Sequence, residues 1–485
     1  MNSRLLRPEM QTSAFLFIAL YALLTDLFVA AETEAAVLGQ LSLTAVEEYT
    51  DNVRFSDKST GDFVTTVAPT LRLIYKPSGY TDPSFTANLF APIEIFARNS
   101  RLNNIGKNIR LNTEYLYPYS PRLDFTFRES LERRGVTRTA GSNGLLGDGG
   151  VGSGSGSGVV GIPIPGVGGG GFPGSSGAGG GGACGRVGSI SSRRQTQNGS
   201  PFSFGEGDLI TRGQWLENET GVSGQYLVTP RLSIRAGYCW DYVEFIDAGG
   251  KETAHSMNVE ARYQIREQSQ IRVGYGISLV RSRDGREDLI HDIDIGGDYL
   301  QLKEIQLTPT LLLSGSTGIA LATRNNGAQG GSGSSNSSDK FRIEHTLNVR
   351  LTKLWQDGST TLGVRRGLTG SFGAGGPSFT TSFFLASVIS LARNVNGTSD
   401  VSYSQYDTGN TNFDTFQATA AIQYLTTLGF SVGIGYSYQQ FQGNKNSQSS
   451  FDFGRSSFEG NSFFLFISTE FDVWPSIGLT RSQSP

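Results

Sequence analysis

His291, Asp292 and Asp294 form the cluster whose residue types most suggest proton transfer or metal binding. Their spacing argues against both. On an extended strand, neighbouring side chains point to opposite faces, so His291 cannot join the two aspartates. His255 and His345 stand far from it in the chain. The sequence has no HExxH, no GxSxG and no clustered Cys/His set, and its glycine runs lack the Lys–Ser/Thr of a phosphate loop. Catalysis, a metal and a cofactor are therefore not expected. What remains is charge on the polar face of alternating segments: Arg110, Glu114, Asp124, Arg128, Arg235, Asp241, Glu260, Arg262, Arg272, Asp292, Asp294, Asp298, Arg342, Glu344 and Arg350. Opposite charges on adjacent strands can pair and fix register. The same groups can line a channel and set its selectivity. Asp292, Asp294 and Asp298 would make a cation-favouring or hydroxyl-binding strip.

The elements that position these groups repeat with period two. Ile271, Val273, Tyr275, Ile277 and Leu279 share one face, opposite Arg272, Gly274, Gly276 and Ser278. Phe430, Val432, Ile434, Tyr436 and Tyr438 alternate likewise with Ser431, Gly433, Gly435 and Ser437. Many such segments are longer than the about 5–6 residues of a soluble strand and reach the about 9–11 that cross a bilayer. The polar face carries much Gly and Ser, while the apolar rows are bulky and often end in aromatics, as a membrane girdle requires. The expected strands are 38–53, 62–75, 84–97, 106–117, 121–133, 210–228, 231–245, 252–265, 268–282, 289–302, 305–324, 339–353, 358–371, 378–392, 398–406, 413–426, 429–441 and 459–474. This is an all-β, transmembrane antiparallel β-barrel of about 18 strands, with 16 as the alternative if 210–228 and 398–406 fail. Short and long connections alternate, which puts short periplasmic turns at one end, long external loops at the other, and both chain ends on the periplasmic side.

Composition agrees. Hydrophobic residues are 37% and charged residues 17% of the chain, with 64 glycines, and a net charge of −3 gives no footprint for nucleic acid. Arg4 and Arg7 precede an apolar run at 14–24, and Val29, Ala30 and Ala31 suit signal peptidase, so residues 1–31 read as a signal peptide and 32–485 as one barrel domain. The domain is interrupted at 134–208 by a stretch holding 27 of the 64 glycines, read as a disordered external loop or a luminal plug. Cys184 lies in that stretch and Cys239 on a polar strand face. An oxidising compartment would allow them to pair; with nothing to fix their distance, unpaired thiols are the expectation. Three residues fit the alternation poorly: Glu47 and Arg366 fall on lipid-facing rows, and Phe384 falls on the polar face.

Residues 46–56 read VEEYTDNVRFS. The run Tyr49, Thr50, Asp51, Asn52, followed by the segment 63–75 with Val67, Ala68 and Pro69, resembles the first strands of a bacterial family of outer-membrane β-barrels. Some members are encoded with exopolysaccharide secretion systems, including those linked to a Pro–Glu–Pro C-terminal sorting signal. The resemblance implies an outer-membrane role in polysaccharide secretion and transfers no catalytic residue. The expected function is a channel, porin-like or an exopolysaccharide conduit, in the bacterial outer membrane. The alternative is a structural or surface-display barrel whose loops bind partners. Expected partners are outer-membrane lipid and lipopolysaccharide, the barrel-assembly machinery and polysaccharide export components, around a monomer.

Overall fold

The computed structural model describes residues 36–52, 60–76, 83–103, 108–134, 215–246, 249–266, 269–281, 287–298, 310–325, 340–371, 376–407, 412–443 and 457–474. The signal segment, almost all of the glycine-rich stretch and Cys184 lie outside them. The strands are β1 (Ala36–Thr50), β2 (Asp62–Lys76), β3 (Ser84–Phe90), β4 (Ile93–Phe96), β5 (Ile109–Ser120), β6 (Leu123–Arg134), β7 (Trp215–Thr229), β8 (Leu232–Phe245), β9 (Lys251–Arg266), β10 (Ser269–Arg281), β11 (Glu287–Asp298), β12 (Leu311–Asn325), β13 (Lys340–Trp355), β14 (Gly358–Ser371), β15 (Gly376–Ala392), β16 (Val395–Asp407), β17 (Asn412–Leu425), β18 (Phe430–Gly443) and β19 (Phe458–Trp474). All belong to one sheet, in which β1 pairs with both β2 and β19, so the sheet closes on itself. β3 and β4 both pair with β2 and form one stave, which gives a closed antiparallel barrel of 18 staves. The two doubtful segments correspond to full strands, β7 (Trp215–Thr229) and β16 (Val395–Asp407), and the count of 16 falls away.

The broken stave has a local cause. Pro69 lies on β2 where β3 ends, Pro92 follows Ala91, and neither proline can donate to a ladder. The Ala91 N–H still reaches Pro69 O, at 3.3 Å. Beyond the break, β5 does not reach β4, and a turn containing a short 3₁₀ helix (Ser100–Leu102) covers that edge. Phe96 N donates to Asn103 Oδ1 at 2.8 Å, and Leu102 packs on Val64 and Phe96. Asp62 holds the turn, its carboxylate accepting from the backbone N–H of Phe63, Arg98 and Asn99 and from Asn99 Nδ2.

The outward face is apolar and exposed. Ile434 is 61% exposed, Ile343 59%, Phe463 59% and Met257 58%. Exposed apolar surface of this extent, wrapped round a closed wall, is the surface of a membrane-spanning barrel. Among the described residues no helix is long and apolar enough to cross a membrane. Short turns such as Pro121 and Arg122, Pro230 and Arg231, or Gln356 and Asp357 mark one end of the barrel. Polar groups on the outward face are paired near the other. There Thr65 Oγ1 donates to Glu47 at 2.6 Å, which explains an acid on a lipid-facing row.

The inner face is stitched by hydroxyl pairs between neighbouring strands: Thr44 with Ser468, Ser256 with Ser278, Ser382 with Ser404, and Thr419 with Ser437. At the closing seam it becomes apolar, where Val46, Ala421, Phe464 and Phe466 form a buried cluster. Phe466 and Phe464 face Gly433 and Gly435 across the β18–β19 ladder, and each ring lies over its glycine. Phe384 does the same to Gly363, which accounts for its place on the polar face.

The Tyr49–Asn52 run fastens this seam at the long-loop end. Asp51 accepts from Asn461 N and Nδ2, both at 2.7 Å, Asn52 Nδ2 donates to Glu459 O at 2.8 Å, and Tyr49 packs on Phe63. Asp51→Ala removes two charge-assisted bonds and is expected to lower stability by about 2 kcal/mol. The urea midpoint of heat-modifiable gel migration reads this, and an unchanged midpoint would deny the seam role.

Candidate functional site

The charged residues singled out from sequence begin on β5 and β6. Arg110 Nε lies 3.1 Å from Glu132 Oε2 and Arg110 Nη2 3.2 Å from Glu132 Oε1, a two-pronged pair between β5 and β6. Glu114 and Arg128 pair at 2.7 Å on the same two strands, with Glu114 half exposed. Both are contacts between adjacent strands, and Glu132 was not among the expected residues. Glu260 and Arg262 pair along one strand instead. Arg235 stands opposite Gln225 and Glu260 and donates to Ser223 Oγ at 3.1 Å. Asp124 lies opposite Gln225 on β7. Arg272 lies directly opposite Arg262, and Arg350 opposite Ser314 and Gly363.

The aspartate strip is bordered by small residues. Asp292 lies between Gly276 and Ala320, and Asp294 between Gly274 and Gly318. Asp298 lies opposite Gln270, and Arg342 opposite Ala322; the side chains of Asp294, Asp298 and Arg342 are outside the described residues. Asp292 is buried, so that carboxylate is not presented to a solute.

Burial differs with charge on the inner wall, although Glu114, Asp124, Glu219, Glu344 and Glu470 keep part of their surface exposed. Glu48, Asp62, Glu94, Glu132, Glu217, Asp241, Glu252, Glu260, Asp288, Asp292 and Asp400 are all buried. Arg72, Arg110, Arg128, Arg235, Arg262, Arg272, Arg350 and Arg365 all keep part of their surface exposed. A longer arginine side chain can keep part of its surface exposed where a short carboxylate sits down among its neighbours. The covering is uneven. Cys239, Val243, Ala254, Ile290 and Ala320, on the inner wall of β8–β12 toward the long-loop end, have no exposed surface. Asp124, Arg128, Gln225 and Arg235 keep partial exposure nearer the short turns.

Cys239 is disulfide-bonded, which corrects the expectation of unpaired thiols. The sequence contains one other cysteine, Cys184. Glu219, Cys239 and Asp241 bring potential ligand atoms within 4.8 Å of one another. A disulfide sulfur is not a thiolate and has no proton to give Asp241, so the group offers a metal two carboxylates.

The three histidines all face outward, each bonded diagonally to the strand before it: His255 to Tyr238 and His291 to Tyr275, both at 2.8 Å, and His345 to Thr317 at 2.7 Å. His255 lies opposite Leu279, His291 opposite Ile277 and Leu321, and His345 opposite Ile319. That is a step of one pair for every two strands, the offset a strand tilt of about 35–45° produces at constant height. The histidines thus share one level of the outer surface, far from any luminal chemistry. Register alone reveals this.

No family model matches the sequence, and no curated protein matches it. Among solved structures, OccK2 (OpdF) of Pseudomonas aeruginosa is similar at 9% identity over 90% of this chain and 98% of that one, with a TM-score of 0.43. OccAB4 of Acinetobacter baumannii is 10% identical over 90% and 99%, with a TM-score of 0.42. The anion-selective porin from Comamonas acidovorans is 10% identical over 90% and 100%, with a TM-score of 0.38. At such identities and scores no residue role transfers.

Proposed function

We propose that this chain is a bacterial outer-membrane channel of porin type whose lumen favours anionic solutes. One observation carries the sign: on the inner wall, the partly exposed charges are mainly guanidiniums and most carboxylates are recessed. A solute in a narrow, low-dielectric lumen meets the projecting charge first, and field focusing multiplies its effect. It differs from the cation-favouring strip read from sequence at Asp292, Asp294 and Asp298, of which Asp292 is buried. An acidic polysaccharide is one solute of the favoured sign and belongs to the class implied by the first-strand resemblance; small carboxylates are another. As a barrel of this kind it would be inserted by the barrel-assembly machinery, among lipopolysaccharide, as a monomer.

The test is a planar bilayer under a potassium chloride gradient. The expected result is ohmic current whose reversal potential has the sign of chloride preference. A cation-preferring reversal potential would sink the assignment of sign, and absence of current would favour the non-transporting structural barrel.

A further inference from the structure

The wall is not zipped along its whole height. β13 and β14 pair from Trp355 opposite Gly358 up to Leu347 opposite Arg366, and there the ladder stops. Both strands continue toward the long-loop end. β13 stays paired with β12 as far as Lys340, and β14 with β15 as far as Ser371. By comparison, β10 and β11 pair from Gln270 opposite Asp298 to Arg281 opposite Glu287, along nearly their whole length. The gap beside β4 is covered by a turn, as described above; among the described residues no such turn lies across the β13–β14 gap.

The flanks of this gap join two environments. On the outer side Ile343, Leu347 and Val364 border it, and Ile343 is widely exposed. On the inner side stand Glu344, Thr346, Arg365 and Gly367, each partly exposed. A Cβ added to Gly367 would meet nothing within 4 Å. Arg366 belongs to the outward row, yet its Nη2 lies 2.7 Å from Oε2 of Glu344, which belongs to the inward row. The guanidinium therefore crosses the wall where the ladder is missing.

Backbone that leaves its ladder at membrane depth is tolerated where it borders protein or a water-filled cavity. We infer that the upper β13–β14 seam is a lateral portal between lumen and bilayer, latched by Arg366 and Glu344. Its substrate class is a single-chain amphiphile with an anionic head and an alkyl tail. The head would exchange for Glu344 on Arg366 with Arg365 adjacent, and the tail would leave past Ile343 and Leu347. This rests on the channel reading for its luminal end and adds a second exit to it.

Thiol labelling in lipid vesicles tests it. Gly367→Cys and, as a second variant, Thr346→Cys place a thiol on the inner flank of the gap. Gln225→Cys places one on the partly exposed inner face of an intact wall, paired on both sides. Among the described residues there is no free cysteine to compete. The probe is a maleimide with a long alkyl chain, confined to the bilayer, and heat-modifiable migration confirms that each variant has folded. The expected result is labelling of both flank variants about tenfold faster than Gln225→Cys, since an intact wall excludes the bilayer phase. Adding Arg366→Ala to Gly367→Cys is expected to raise the rate further. Equal slow rates at all three positions overturn the portal. In a protein that conducts, that outcome leaves the channel standing; fast flank labelling without conductance removes the channel and keeps the portal.

Discussion

Gly433→Ala is expected to cost about 3 kcal/mol or more, whereas Gly276→Ala is expected to be near neutral. Both glycines face the lumen on a central strand. They differ in what lies above them. A Cβ on Gly433 would fall inside the envelope of the Phe466 ring and within 2.7 Å of the Ile422 carbonyl oxygen, while one on Gly276 finds its nearest neighbours at 3.8 and 4.0 Å. Moving the Phe466 ring is not a local matter. It packs with Val46, Phe464 and Ala421 from β1, β17 and β19, so displacing it loosens the seam that closes the barrel. Each fully buried Phe contributes about 1.5–3 kcal/mol of transfer free energy, and the methyl group also strains the β17–β18 ladder through Ile422. Urea titration of heat-modifiable migration reads both variants. Adding Phe466→Leu to Gly433→Ala should recover part of the loss, because the coupling is between two groups in contact. Equal midpoints for Gly433→Ala and Gly276→Ala would mean that the rings do not hold the seam.

The contrast between those glycines shows where sequence stops informing. Alternation placed both on the polar face, because the signal is local and has period two. It could not say that one sits under an aromatic ring, since that depends on which residue the partner strand places opposite. The same limit explains Arg366. Its place on a lipid-facing row is readable; the reason is an interrupted ladder, set by how far two antiparallel strands stay paired. Glu114 and Arg128 were legible as charges on neighbouring strands, and their pairing follows from the register that starts at the short turn between β5 and β6. Arg110 was legible as a charge, but its partner Glu132 lies near the far end of the next strand, beyond where soft boundaries allow a match. The Tyr49–Asn52 run stood out as a motif, but its work is done against Asn461 and Glu459, some four hundred residues away, which no local pattern contains.

Arg262→Gln combined with Arg272→Gln is expected to lower the anion-to-cation permeability ratio several-fold, with Asp292→Asn changing it little. The two arginines stand directly opposite one another on β9 and β10, a placement of like charges that destabilises a sheet. Glu260 bonds Arg262 from the same strand and is itself buried, so it offsets the repulsion without presenting its own charge to the lumen. Arg235 on β8 extends the row, opposite Glu260. A wall that keeps adjacent guanidiniums partly exposed, at a cost in stability, sustains positive potential where solute passes. Glutamine keeps much of the side-chain length and some hydrogen bonding while removing the charge, so a selectivity change with an unchanged urea midpoint isolates the electrostatic effect. Asp292 serves as the opposing control, because its buried carboxylate lies among Gly276 and Ala320, recessed from the solute path. Reversal potentials decide between them. A larger shift from Asp292→Asn than from the arginine pair would return selectivity to the acidic strip.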